Sequence, residues 1–268
     1  MGKSVKNGHY LTGNCYHTSD NHSRSVFDKL SLGTSAYFAT AFIAGLAKNR
    51  QLALAGVFDR ETWADKSLNV LRLIEDCGGR FHIDGLDNIT KIKEPVVFIS
   101  NHMSMLESMV FPGLIASKRA VTFVVKHSLV THPLFGPIMK ARNPITVERK
   151  DPIVDFKKVM AEGTENLHRN ISVVIFPQSQ RMTDFIPEQF NSLGIKLAKK
   201  AKVQIVPVAI KTDFWKNGKL IKDIGAINRK LPIHIEFGEP IAIEGAGKNE
   251  HQDVIEFITS RLQKWEMD

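Results

Sequence analysis

Val96-Val97-Phe98-Ile99-Ser100-Asn101-His102-Met103-Ser104-Met105-Leu106-Glu107 is the stretch on which the reading of this chain turns. Its apolar start, Val96–Ile99, stops at Ser100. A short continuous apolar run with a polar boundary reads as a strand buried on both faces, as in a parallel sheet. Asn101 and His102 then stand at the C-terminal end of that strand, where open α/β sheets bind their ligands. A Ser-x-x-Glu step, Ser104 to Glu107, opens an apolar helical pattern. A histidine at a strand end with a carboxylate five residues on suits a general base. Geometry limits how the two can meet. On a continuous helix a five-residue step turns about 500°, or about 140° beyond one full turn. His102 and Glu107 therefore meet only if His102 precedes the helix and Glu107 lies in its first turn. The same residues also form a capping box, with Ser104 as N-cap and Glu107 at the third helical position. That role is worth about 1 kcal/mol and implies no chemistry. A carboxylate has two oxygens, so both roles can coexist.

Outward from this stretch, short β-branched runs alternate with helical patterns. Strands are expected at Phe81–Ile83, Val96–Ser100, Val121–Val125, Ile145–Val147, Ser172–Phe176, Gln204–Ile210 and Ile233–Phe237. Helices are expected at Ser104–Ser117, Ile153–His168, Asn191–Ala201 and His251–Trp265. The alternation predicts an α/β fold: a mixed, mostly parallel sheet covered by helices. Pro207 cannot donate to a ladder and predicts an edge or a bulge. Three strand ends carry polar residues that could converge: Asn101 and His102; Glu148 and Arg149; and Pro177, Gln178, Ser179, Gln180 and Arg181.

Upstream, Ser31–Ala47 is uncharged and 17 residues long, bracketed by Lys29 and by Lys48 with Arg50. A spanning helix needs about 20 apolar residues, so an interfacial or core helix is expected here. Thr62–Glu75 reads as a second helix, ended by Gly78-Gly79. The expected organisation is a polar flexible tail over 1–25, an N-terminal helical, membrane-associating arm over 26–79, and an α/β catalytic domain over 80–268. His9, Cys15, His17 and His22 are scattered through the tail and give no metal-site spacing, and no signal-peptide pattern is present.

The 268 residues suffice for a single core, and the two cysteines, Cys15 and Cys77, give no disulfide framework. A reducing compartment is the default. Net charge is +8, and Asn191–Pro232 alone holds ten Lys or Arg against Asp213 and Asp223. A one-sided basic surface suits an anionic partner: phospholipid, a phosphorylated substrate or nucleic acid. It equally suits a solvated, lysine-rich face. No aromatic residues interleave with the charges as base-stacking surfaces require, so nucleic acid is disfavoured.

The order of motifs resembles the glycerolipid acyltransferases, the lysophosphatidic acid acyltransferases and their relatives. That family carries Asn-His-x-x-x-x-Asp, a strand ending in Arg, Phe-Pro-Glu-Gly-Thr-Arg, and Val-Pro-Val. The counterparts here are Asn101 to Glu107, Ile145 to Arg149, Phe176 to Arg181, and Val206 to Ile210. Glu107 stands where the family has aspartate, and Gln178-Ser179-Gln180 where it has Glu-Gly-Thr. The resemblance implies transfer of a fatty acyl group from a thioester carrier, acyl-CoA or acyl-ACP, to a hydroxyl of a lysophospholipid, 1-acylglycerol-3-phosphate first. His102 would be the base and Glu107 its orienting partner. Lys126, Arg149, Phe176, Pro177, Gln178, Ser179, Gln180 and Arg181 would bind substrate, with no metal or cofactor. Arg149 and Arg181 suit phosphate, because guanidinium matches it in a bidentate fork; each could instead pair with Asp151 or Asp184. The expected location is the cytoplasmic face of a membrane, peripheral or shallowly inserted on its anionic surface. Two alternatives stand: an acyltransferase for another lysolipid, such as a lyso-ornithine lipid, or a non-catalytic lipid-binding protein on this scaffold. His127 and His132 lack partners at recognisable spacing and read as structural.

Overall fold

The computed structural model describes residue 11 and residues 13–178, 180–218 and 225–267. The strands are β1 (Tyr16–His17), β2 (Phe81–Asp84), β3 (Val97–Ser100), β4 (Val121–Lys126), β5 (Ile145–Val147), β6 (Ser172–Ile175), β7 (Ile205–Lys211) and β8 (Ile233–Phe237). They form one sheet in the order β1-β2-β8-β7-β3-β6-β4-β5. Neighbours run parallel except at β1–β2 and β7–β8. The expected mixed, mostly parallel sheet is therefore present.

Helices cover both faces. They are α1 (Val26–Leu30), α2 (Ala36–Leu54), α3 (Arg60–Asp76), α4 (Leu106–Phe111), α5 (His127–Thr131), α6 (Gly136–Lys140), α7 (Pro152–His168), α8 (Leu193–Ala201) and α9 (Lys248–Met267). Strand periodicity sorts the core. Phe98, Val174 and Val206 face one way and join Phe38, Leu71 and Phe111 from α2, α3 and α4. Val97, Ile99, Val173 and Ile175 face the other way and join Val159, Leu197 and Ile258 from α7, α8 and α9. Burial on both sides explains why β3 and β6 read as unbroken apolar runs.

Some expectations move. The apolar helix begins at Ala36 rather than Ser31 and runs to Leu54. Leu32 and Gly33 take positive φ values of 52° and 80°, which turns the chain before the helix can start. Phe38 and Phe42 then pack edge-on against Trp215, at 4.8 and 4.9 Å between ring centroids. Ile43 and Leu54 on the same helix stay exposed, as do Val26, Phe27, Leu30 and Leu32 before it. Among the described residues, no helix is long and apolar enough to cross a membrane. The helix after His102 also shortens. Pro112 lacks an N–H, and α4 passes at Pro112–Ala116 into a π-helical turn.

Pro207 sits inside the sheet, between β3 and β8, and not at an edge. The second half of that expectation holds. Val208 pairs with Phe237 and Ile205 with Ile241, so four steps on one strand face three on the other. This one-residue bulge lets Gly238 N–H reach the Pro207 carbonyl at 2.8 Å without asking Pro207 to donate.

Tyr16 and His17, from the segment expected as a tail, join the sheet edge. β1 pairs antiparallel with β2, placing His17 opposite His82. Cys15, His17 and Asp84 thereby bring ligand-type atoms within 4.8 Å of one another at the sheet edge. Arg229 ties the arm down. Its guanidinium donates to the carbonyls of Cys77, Gly33 and Thr34 and to Asp28, which is fully buried. Arg229 thus points inward and leaves the basic surface to which the sequence assigned it. Lys219, Lys222 and Asp223 of that basic segment lie outside the described residues.

Candidate active site

β3 ends at Ser100, and the next residue locks its end in place. The Asn101 side chain donates to Ile210 O and accepts from Ile210 N, both at 2.9 Å. An amide side chain thus imitates a peptide group and extends the β3–β7 ladder by one step. His102 follows, before the helix, and Glu107 lies in the first turn of α4. This is the one arrangement in which the two can meet.

They do meet. His102 Nδ1 lies 2.7 Å from Glu107 Oε1. That oxygen also accepts from the backbone N–H groups of Met103 and Ser104, each at 2.8 Å. Oε2 accepts from the hydroxyls of Thr212, at 2.7 Å, and Ser104, at 3.0 Å. Ser104 Oγ in turn accepts from Leu106 N–H at 3.0 Å. The helix starts at Leu106 with Met105, not Ser104, as its N-cap, so Glu107 is its second rather than its third residue; Glu107 nonetheless takes the Ser104 N–H while it orients His102. Glu107 is fully buried. Burial alone would raise its pKa; the hydrogen bond and positive charge of His102, then Thr212 and the Ser104 N–H, outweigh it and hold the carboxyl below its ordinary value. An ionised carboxylate only accepts, so Nδ1 of His102 carries the proton and Nε2 is left with a free lone pair.

His102 is held by three further contacts, one to its ring and two to its backbone. Its ring stacks on Phe176 at 4.3 Å and 20°. The His102 N–H donates to Gln178 Oε1 at 2.7 Å, and its carbonyl accepts from Met182 N–H at 2.9 Å. Gln178 is 2% exposed. It supplies the acceptor oxygen that a glutamate would, without a charge.

His102 opens onto a cavity of about 820 Å³. Of the substrate-binding residues expected from the sequence, Lys126, Arg149, Phe176, Pro177, Gln178, Gln180 and Arg181 all line it. Ser179 lies outside the described residues. Another part of the wall is apolar, with Trp63, Met105, Met109, Phe123 and Phe135. Met105 and Met109 of this wall come from the N-cap and first turn of α4. Arg149 occupies a left-handed conformation, φ 59°, which costs energy for a side-chain residue. Asp155 holds it there by accepting from Glu148 N–H at 2.9 Å and Arg149 N–H at 2.7 Å. The pKa of Arg149 is lowered first by burial and then, against the pull of Asp155, by the positive charge of Arg181. Two guanidiniums therefore sense each other across the site. Asp151, a possible partner from the sequence, instead caps α7 through Ile153 N–H and Val154 N–H.

A family model described as Acyltransferase matches residues 80–211, which contain His102, Glu107, Lys126, Arg149 and Phe176–Arg181 but not Trp63 or Thr212. Residues 80–211 belong to the acyltransferase family. The chain is 25% identical over 87% of its length, and 82% of the other chain, to the 1-acyl-sn-glycerol-3-phosphate acyltransferase of Pseudomonas aeruginosa. The namesake from Borreliella burgdorferi is 25% identical over 70% of this chain and 72% of its own. The crystal structure of the 1-acyl-sn-glycerophosphate acyltransferase of Thermotoga maritima superposes with a TM-score of 0.64, at 19% identity, over 90% of this chain and 98% of that one. That likeness extends the shared fold well beyond the motifs of this acyltransferase.

Sequence reasoning missed three supports of the site. Thr212 lies 105 residues from Glu107 and becomes its neighbour only through the β3–β7 pairing. Asp155 reads as one more first-turn acid of α7. Glu148 gives His127 a partner at 3.4 Å, which sequence spacing did not show. His132 is local, with Nδ1 accepting from Leu134 N–H at 3.2 Å.

Proposed function

We propose that this acyltransferase moves a fatty acyl group from a thioester carrier to the free hydroxyl of 1-acylglycerol-3-phosphate. The observation that carries the reading is the His102–Glu107 pair, 2.7 Å apart, at the wall of a cavity that also presents Arg149 and Arg181. Nε2 of His102 takes the proton of the acceptor hydroxyl. The oxygen attacks the thioester carbon, the C–S bond breaks, and the leaving thiolate takes the proton back from the imidazolium. Glu107 stabilises that imidazolium and holds the tautomer. The acceptor is itself the nucleophile, so no acyl-enzyme forms. Arg149 and Arg181 hold the phosphate, with Lys126 adding charge at the rim. The apolar wall receives an acyl chain. The Gln178 oxygen is engaged by the His102 N–H, which supports a role in holding the base rather than in choosing a head group.

Exposed Val26, Phe27, Leu30 and Leu32 would dock the protein peripherally on an anionic, cytoplasmic membrane face. The test is thiol release from acyl-CoA and acyl-ACP with 1-acylglycerol-3-phosphate, competed by other lysolipids, for wild type and His102→Ala. Preference for the phosphate acceptor, lost on substitution with the fold intact, is the expected result. Preference for a lyso-ornithine lipid would move the acceptor assignment. A His102→Ala variant as fast as wild type would remove the mechanism.

A further inference from the structure

Glu107 must do more than lie near His102. A glutamate's terminal torsion is broad and roughly two-fold, so the carboxylate plane is not set by the side chain itself. Contacts at the second oxygen have to set it. Oε1 faces His102, Met103 N–H and Ser104 N–H, all within the same turn of chain. Oε2 receives Ser104 Oγ at 3.0 Å from the same turn and, at the shorter 2.7 Å, Thr212 Oγ1 from outside it; the Thr212 hydroxyl also sits 3.2 Å from Ser104 Oγ. Thr212 is fully buried and follows β7 directly, so the sheet and not the α4 turn decides where this hydroxyl stands. A helix cap would need only the local donors. A long-range donor on the oxygen turned away from the histidine serves to fix the carboxylate plane.

We propose that Thr212 is a positioning residue for the acyl transfer: its hydroxyl fixes the Glu107 carboxylate so that Oε1 meets His102 Nδ1. The proposal rests on the reading of His102 as the base. It makes the β7 end a working part of the site, coupled to β3 by the Asn101 bridge to Ile210.

Thr212→Val keeps the shape and removes the hydroxyl; Thr212→Ser keeps the hydroxyl and removes a methyl. Both are tested as purified full chains, with circular dichroism to confirm folding. For Thr212→Val, kcat should fall about 10- to 100-fold, the size of one charge-assisted hydrogen bond. KM for both substrates should stay within about twofold, since the contact acts on the base and not on binding. The acid limb of the kcat/KM profile should move to higher pH. A carboxylate with one donor fewer attracts the imidazolium more strongly, so His102 keeps its proton longer. Thr212→Ser should recover both kcat and the pH profile. Wild-type kcat and pH profile in Thr212→Val would overturn the proposal. So would an equal loss in both variants with an unmoved acid limb, because that marks a packing role. Full activity in His102→Ala would instead overturn the base assignment, whatever Thr212 does, so the two failures are distinguishable.

Discussion

Replacing Glu107 with aspartate restores the residue usual in the family, yet in this fold it should weaken the enzyme. Aspartate is one methylene shorter, so the carboxylate retreats by about one C–C bond, ~1.5 Å. The His102 Nδ1–Oε1 separation of 2.7 Å would then open to about 4 Å, too long for a hydrogen bond. The same retreat loosens the Met103, Ser104 and Thr212 contacts. Moving α4 to compensate would unseat Leu106 and Val110, both fully buried. The lost contact to His102 is charge-assisted, worth about 1.5–3 kcal/mol, so kcat should fall about 10- to 150-fold. Steady-state thiol release at saturating acceptor measures this. A pH-stability series gives a second readout. The Glu107 carboxyl is held below its ordinary value of 4.5, so its contribution to stability is present above that pH and is lost as pH falls through the depressed value. With fewer donors the aspartate should be less depressed, and the variant should gain less stability between low pH and neutrality. Wild-type kcat together with an unchanged pH-stability curve in Glu107→Asp would refute the reasoning that side-chain reach is matched to this backbone.

Gln178→Ala leaves the His102 N–H without its partner; a loss of about 1–3 kcal/mol in denaturant unfolding and a lower kcat are expected, while Gln178→Glu should keep the acceptor. Arg229→Ala removes the tie between the arm and the sheet. It should cost about 3 kcal/mol, the low end for a broken buried pair, because Arg24 still holds Asp28. Thiol labelling should separate the two cysteines: exposed Cys15 reacts quickly, whereas burial, with the Asp28 charge, pushes the Cys77 thiol up to about 12 and keeps it silent until unfolding.

Much of the site was legible because its parts are local. The apolar β3 run, the histidine at its end and the glutamate in the next helical turn lie within twelve residues. Rotation per residue required His102 to stand outside the helix if it was to meet Glu107, and it does. The ordered motifs at Arg149, Phe176–Arg181 and Val206–Ile210 were equally visible, since each ends or fills a strand. Pro207 was half legible. Its missing N–H demands relief, but relief by a bulge on β8 inside the sheet needs strand order, which no single strand reveals. The helix after His102 was overextended because periodicity carries through Pro112, whereas the backbone hydrogen-bond pattern does not.

By itself the sequence determined the alternation of strands and helices, the places of His102 and Glu107, and the order of the family motifs, because these depend on residues near one another in the chain. Only the tertiary structure decided that Thr212 grips Glu107, that Gln178 holds the His102 backbone, that Asp155 strains Arg149 into place, and that Arg229 turns inward to Asp28. Each of these is a hydrogen bond whose partner is chosen by sheet order and helix packing. Distances between groups far apart in the chain carry no periodic trace in the sequence, so the supports of the site appear only once the sheet is assembled.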